Sequence, residues 1–295
     1  MSVSASADGR LWRGLRPAAL LAPVAVLYLV VYLGGLAMIA TTSLGLSGGD
    51  ADAHLSFAAY AQALAAPGIP AIVTRTILVG IATVAVCLIL GFPVARYITS
   101  TEARWRGVVM VCVLSPLMVS AIGRIFGWIA LFGPGSFVAR VMVAFLGGKP
   151  TGLLYTETAM VIGLANLLLP FMVLSIAASR AHLDEDLLKA SASLGATPLA
   201  TFRQIELPLS LPGIVGGALI VFSLAASNFV TAALLGGSGR DVIAYHIYLD
   251  ILVYFQERRG AALAVMLLIV EVVLLALAVA AGRSAADDDA KRTTP

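Results

Sequence analysis

The chain has 295 residues, of which 60% are hydrophobic and 12% charged, with a formal net charge of +3 and a mean hydropathy of +0.98. An ordinary soluble domain carries about 25% charged residues, so a water-soluble globule is excluded. The 19 basic and 16 acidic residues are scattered around apolar runs and form no basic patch, which leaves no basis for nucleic acid as a partner.

A bilayer core needs about 20 apolar residues per helical span. Hydropathy gives six such stretches, at about 17–40, 76–98, 108–131, 158–178, 213–235 and 261–281. The fold class expected is an all-α membrane protein with six transmembrane helices. A single membrane domain over 17–282 is flanked by tails at 1–16 and 283–295. Arg10, Arg13 and Arg16 precede the first stretch as in a secretory signal, but the stretch exceeds the ~7–15 residues of a signal's apolar region, so it reads as an uncleaved first span. With the N-terminus inside, twelve basic residues fall on inner segments and six on outer ones, and Arg124 lies within a span. This excess places both termini in the cytoplasm. Arg258 and Arg259, beside the sixth span, run locally against it.

The outer segments contain helix-compatible stretches at 57–65 and 136–146, expected to lie on the outer surface. Cys87 and Cys112 sit in apolar runs and make neither a metal motif nor a disulfide framework. Pro116, Pro170, Gly127 and Gly163 are candidates for kinks or close contacts within the membrane. Gly213, Gly216 and Gly217 put small residues, including a GxxxG spacing, on one face of the fifth span. The final tail, with Asp287, Asp288 and Asp289 in a row, reads as disordered.

Arg124 in the third span and Glu271 in the sixth cost about 2.5–3.5 kcal/mol each near a bilayer centre, so each should face protein or water. Either could belong to a substrate path or gate, or to a structural pair. Asn166, Asn228 and Thr231 could likewise line a pathway or make interhelical hydrogen bonds.

The inner loop 179–212 is too patterned for a passive linker. Asp184, Glu185 and Asp186 suit a helix N-terminus, Leu187, Leu188 and 191–194 continue the helix, and Gly195 suits its stop. Thr197-Pro198 then reads as an N-cap followed by proline at the first helical position. It starts a second short helix that should end before Leu207-Pro208.

At these residues the sequence resembles the membrane subunits of binding-protein-dependent ABC importers, whose loop signature is Glu-Ala-Ala, three residues, Gly, nine residues, Ile-x-Leu-Pro. The match is Lys189-Ala190-Ser191, then Gly195 preceded by Leu194, then Ile205-Glu206-Leu207-Pro208. Lys189 and Ser191 depart from the usual Glu and Ala. The similarity runs from about 55 to 280, and 116–128, 162–174 and 234–238 look like the spermidine/putrescine branch. The resemblance implies a type I (MetI-like) permease fold and a coupling helix docked on a cytoplasmic ABC ATPase dimer. It also implies a second, paralogous permease subunit and a periplasmic substrate-binding protein, in the bacterial inner membrane. No Walker motif occurs in the chain, so it would be a transport subunit rather than an enzyme and hold no cofactor itself, with ATP and Mg bound by the partner ATPase. The cargo so implied is a polyamine. An amino-acid derivative, an opine or an organophosphonate is the alternative.

Two rival classes fare worse. Gly236-Gly237-Ser238-Gly239 matches the GxSG of intramembrane serine proteases, but a Ser nucleophile needs a nearby base, and His54, His182 and His246 all fall in predicted loops. A secondary transporter should show paired repeats with broken helices, and no convincing repeat is found.

Overall fold

The computed structural model describes residues 8–46, 55–100, 103–146, 152–181, 183, 185–237 and 239–293, and among these the regular structure is entirely helical. Asp184, Ser238, His54 and His182 lie outside the described residues. Among the described residues, six stretches are long and apolar enough to cross a membrane: Pro23–Ser43, Ile69–Thr99, Ala121–Val141, Glu157–Arg180, Pro198–Ala226 and Glu257–Ala276.

The centre of the molecule is a three-helix core. Helices α1 (Asp8–Ser43), α2 (Ala58–Ala65) and α3 (Ile69–Thr99) are followed by the pair α4 (Arg106–Met118) and α5 (Ala121–Phe132). Next come α6 (Phe137–Leu146) and α7 (Glu157–Arg180). Cys87 of α3, Leu168, Met172, Val173 and Ile176 of α7, and Val221 of the later helix α10 (Leu207–Ala226) bury their side chains against one another. α3 and α7 run parallel, because Arg75 pairs with Glu157 where both begin and Arg180 reaches Thr99 where both end. α10 runs antiparallel to them. Small residues let it approach closely: a Cβ on Gly213 would stand 2.6 Å from the Ser175 carbonyl oxygen and from Ser179 Cβ, and one on Gly217 would stand 2.8 Å from Met172 Sδ. Ser175 and Ser179 turn this contact polar, donating through their Oγ to the carbonyls of Gly213 (2.9 Å) and Leu209 (3.0 Å). The expected glycine face is therefore real, and its partner is α7.

Three expectations need correction. The third span, expected to be continuous over 108–131, is broken between α4 and α5, where Val119 and Ser120 are extended. Pro116 causes the weakness, since it has no N–H to give the Cys112 carbonyl, and the Ser115 hydroxyl takes that carbonyl instead at 2.9 Å. The fifth span, expected over 213–235, starts much earlier and stops sooner. From Pro198 the chain passes through α9 (Pro198–Thr201), a π-helical turn (Phe202–Glu206) and α10 without a break, so the helix does not end before Leu207-Pro208. The widened turn, closed by Leu207 N–H on the Phe202 carbonyl, accommodates Pro208, whose ring would crowd the preceding turn of an ordinary helix. α10 then ends at Ala226, and Asn228 caps the short α11 (Phe229–Thr231), followed by a second π turn (Ala232–Gly236). The last helix, α13 (Glu257–Thr293), continues through the tail expected to be disordered. Residues 283–293 hold three alanines and neither Gly nor Pro, so helix propensity outweighs the run of aspartates.

The expected surface helices at 57–65 and 136–146 are present as α2 and α6. The segment 236–260 adds one not foreseen, α12 (Ile243–Tyr248), extended by a π turn (Leu249–Val253). It carries His246 and, in the turn, the fully buried Asp250, whose Oδ2 lies 3.2 Å from Arg259 Nε. His246 Nε2 lies 2.9 Å from Arg259 Nη2. The positive charge that ran against the topology rule is thus matched by an acid within its own segment.

Candidate functional site

The loop between α7 and α10 forms a helical elbow. Its first arm is α8 (Glu185–Ser193). The arm ends in a Schellman motif, in which Ala196 N–H reaches the Ser191 carbonyl (3.1 Å) and Gly195 N–H the Ala192 carbonyl (3.0 Å). Gly195 has φ +79°, the left-handed conformation this motif demands. Thr197 caps the second arm, its Oγ1 accepting from Ala200 N–H at 3.3 Å. The arms are tied by Ser191, which is buried and lies 2.8 Å from Thr201 Oγ1. Serine in place of the usual alanine therefore adds a strut to the elbow. Lys189, the other departure, is exposed and sits 3.0 Å from Asp186 one turn earlier on α8. Ala190 is also exposed.

Apolar side chains are left without cover on this elbow. Leu194 is 88% exposed and Leu199 64% exposed, on either side of the glycine turn. An exposed apolar patch of this kind on a rigid, hydrogen-bonded turn marks an interaction surface.

The root of the elbow is fixed electrostatically. Ile205 and Leu207 are half-buried and Pro208 is exposed, whereas Glu206 between them is 1% exposed. Its Oε1 lies 2.9 Å from Arg96 Nη2 of α3 and its Oε2 3.2 Å from Arg180 Nη1 of α7. Arg180 also donates to Thr99 Oγ1 and Ser210 Oγ, and its guanidinium lies over the Phe92 ring, 5.7 Å from the centroid. One carboxylate thus joins the ends of two core helices to the start of the third. Sequence reading took Arg96 and Arg180 as topological charges and missed this cluster. The available signal was an acidic residue inside an otherwise apolar Ile-Glu-Leu-Pro run.

The other sequence candidates do not converge on one site. Arg124 Nη1 donates to the Pro116 carbonyl at 2.6 Å and reaches that of Val119 at 3.5 Å, so it closes the C-terminus of α4 across the break. Asn228 Oδ1 accepts from Thr231 N–H at 3.0 Å. Thr231 is buried against α7, where a Cβ on Gly163 would meet its methyl at 3.4 Å. Asn166 lies one turn further along α7, half-buried. Glu271 borders a largely apolar cavity of about 250 Å³ with Ser223. Gly127 has nothing within 4 Å of where a Cβ would stand, so it makes no close contact.

The chain is 35% identical over 160 residues to the spermidine/putrescine transport system permease protein PotB of Haemophilus influenzae, a match covering 54% of this chain and 56% of that protein. The chain spans little more than half the length of that curated relative. A crystal structure of a bacterial alginate ABC transporter, in complex with an alginate pentasaccharide-bound periplasmic protein, contains a chain that matches with a TM-score of 0.74 at 14% identity, over 93% of this chain and 96% of that one. A chain of the MetNI methionine ABC transporter in an inward-facing conformation matches with a TM-score of 0.55 at 17% identity, over 75% and 99% respectively. The fold is therefore that of MetI-like importer permeases. Over residues 87–284, which hold the core helices, the elbow and its buried Glu206 anchor, the chain matches the model of the binding-protein-dependent transport system inner membrane component, and it belongs to that family.

Proposed function

We propose that the chain is one permease half of an ATP-driven importer for a polyamine-type solute delivered by a periplasmic binding protein. The observation that carries this reading is the elbow. It is a rigid, glycine-turned pair of helices with uncovered leucines at its tip and a salt-bridged root in the helical core. Such a part suits docking into a groove on an ATPase subunit, with Lys189, Ala190, Leu194 and Gly195 at the contact and Ser191 bracing the two arms behind it. Ile205, Leu207 and Pro208 pass the movement into α10. The elbow and both termini then face the cytoplasm, in agreement with the excess of basic residues on those segments.

ATP and Mg would be bound by a pair of ATPase subunits and a second permease would complete the translocation path, since six spans make half of such a path. The polyamine cargo is supported by the similarity to PotB and by the chemistry of the opposite end of the molecule, described below. Binding of nucleotide by the ATPases and of loaded binding protein at the far face would bias the same two-state bundle from its two ends.

The test is reconstitution of the chain with the ATPase, permease and binding protein encoded beside it. Spermidine uptake and ATPase activity stimulated by loaded binding protein are expected only from the complete assembly. Substrate-stimulated ATP hydrolysis by this chain alone would refute the assignment.

A further inference from the structure

At the end of the core opposite Glu206, three separate segments enclose a cavity of about 660 Å³, within the size range of small-molecule sites. Its lining includes Tyr155, just ahead of α7, Asp241 before α12, Tyr245 on α12 and Tyr254 beyond it. Three phenols and one carboxylate meet there.

The nearby cations are held at the rim of the cavity by backbone carbonyls and by Glu157. Arg75 Nε pairs with Glu157 at 2.9 Å while its Nη1 donates to the Gly239 carbonyl at 3.0 Å, and Arg240 Nη1 donates to the Tyr155 carbonyl at 2.7 Å. No arginine or lysine lines the cavity among the described residues, which leaves Asp241 as its charged group. Burial, and next the Asp241 carboxylate, push the Tyr245 phenol above its ordinary range, so this ring stays neutral at physiological pH.

The rings are held in position. Tyr155 has φ +66°, a costly conformation for an aromatic residue. The Arg240 bond holds its carbonyl, and a Cβ on Gly237 would stand 2.7 Å from Tyr155 Cβ, so the chain is closely packed on the other side as well. From Tyr245 a row of near-parallel rings leads away, first to Tyr248 (centroids 6.1 Å apart) and then to Phe229 (5.0 Å). Phe229 directly follows Asn228, at the break between α10 and α11.

We propose that this cavity is a binding station for an organic ammonium group, which Asp241 neutralises while the faces of Tyr155, Tyr245 and Tyr254 enclose it. Aromatic faces attract cations, and a carboxylate among them selects a cation over an anionic or neutral solute. A chain of amines separated by methylenes fits the station and the ring row together, because its apolar links can lie along the rings. The inference rests on the importer reading and adds to it a place on this chain where the cargo is held.

Equilibrium dialysis of radiolabelled spermidine against the purified membrane complex, without binding protein, tests the site apart from transport. Asp241→Asn, Tyr245→Leu and Tyr254→Leu should each weaken binding by about tenfold, while Tyr245→Phe should bind like the parent. Tyr254 is exposed, so its variant keeps the test valid if a change at Tyr245 prevents assembly. Spermidine binding equal to the parent's in Asp241→Asn and Tyr254→Leu overturns the station, as does a parent complex that binds no spermidine. A parent that binds spermidine in dialysis but takes up none in proteoliposomes would overturn the polyamine cargo alone.

Discussion

Arg180 and Glu206 meet in a nearly dry contact, Nη1 to Oε2 at 3.2 Å, with side chains 5% and 1% exposed. Arg96 completes the carboxylate's coordination from the more open side. Removing one member of a buried pair leaves an uncompensated charge, a loss of about 3–5 kcal/mol. Glu206→Ala should therefore lower thermal stability in detergent sharply, because two guanidinium groups lose their partner. Arg96→Ala should cost less, since its side chain is 55% exposed and water can replace it. Thermal unfolding of the two variants decides the ranking.

Gly195 separates conformation from contact. Its φ of +79° makes a Cβ costly by about 1 kcal/mol or more, yet no atom lies within 4 Å of where that Cβ would stand. Asparagine tolerates this conformation better than most residues. Gly195→Asn should leave the unfolding temperature near the parent's, whereas retention of the ATPase and spermidine uptake should fall if the turn lies close against the ATPase. Gly195→Asp should uncouple the complex in the same way. Full uptake and ATPase retention in both variants would remove the elbow from the coupling path.

The in-membrane glycines divide into two classes. At Gly213 an added methyl would meet the α7 backbone, which cannot step aside, so Gly213→Ala should destabilise the fold by about 1–3 kcal/mol. Gly127 faces open space inside α5, so Gly127→Ala should be neutral or gain up to about 1 kcal/mol of helix propensity. Thermal unfolding of the pair, with insertion checked by fractionation, measures the contrast.

Arg124 provides the third kind of test. Its donation to the Pro116 carbonyl stands in for a backbone bond lost at the α4–α5 break, so Arg124→Met should cost about 1–3 kcal/mol through the exposed acceptor. Lysine can still present a donor and should recover part of that loss. Equal stability of all three proteins would show that the carbonyl finds another donor.

Hydropathy located the apolar spans because lipid imposes one requirement on every residue of a crossing helix. The breaks at 119–120 and 227–228 were not legible in the same way, since apolar composition does not report backbone dihedrals. Pro116 marked the first as a weak point, and Asn228, a good N-cap residue, was considered as a pathway or interhelical hydrogen-bonding group and not as a cap. The elbow was readable from Gly195 and Thr197-Pro198, whose geometry is local. Glu206 acts through partners from distant segments, and a sequence without an alignment carries no sign of those meetings. The helical tail shows the opposite error, a row of aspartates weighed above the alanines around it.

The Glu206 cluster and the Gly213–α7 contact together clamp the first turns of α10 to α3 and α7. Between Arg75 and Arg96 the helix α3 rises about 30 Å, so the clamped helices form a stiff lever as long as the bilayer core is thick. A tilt of about 10° imposed at the elbow would carry the far end roughly 5 Å sideways over that length. Such a displacement exceeds the reach of a hydrogen bond. The end of the core at the Arg75–Glu157 pair would then move as one body, with no change in the packing of the core.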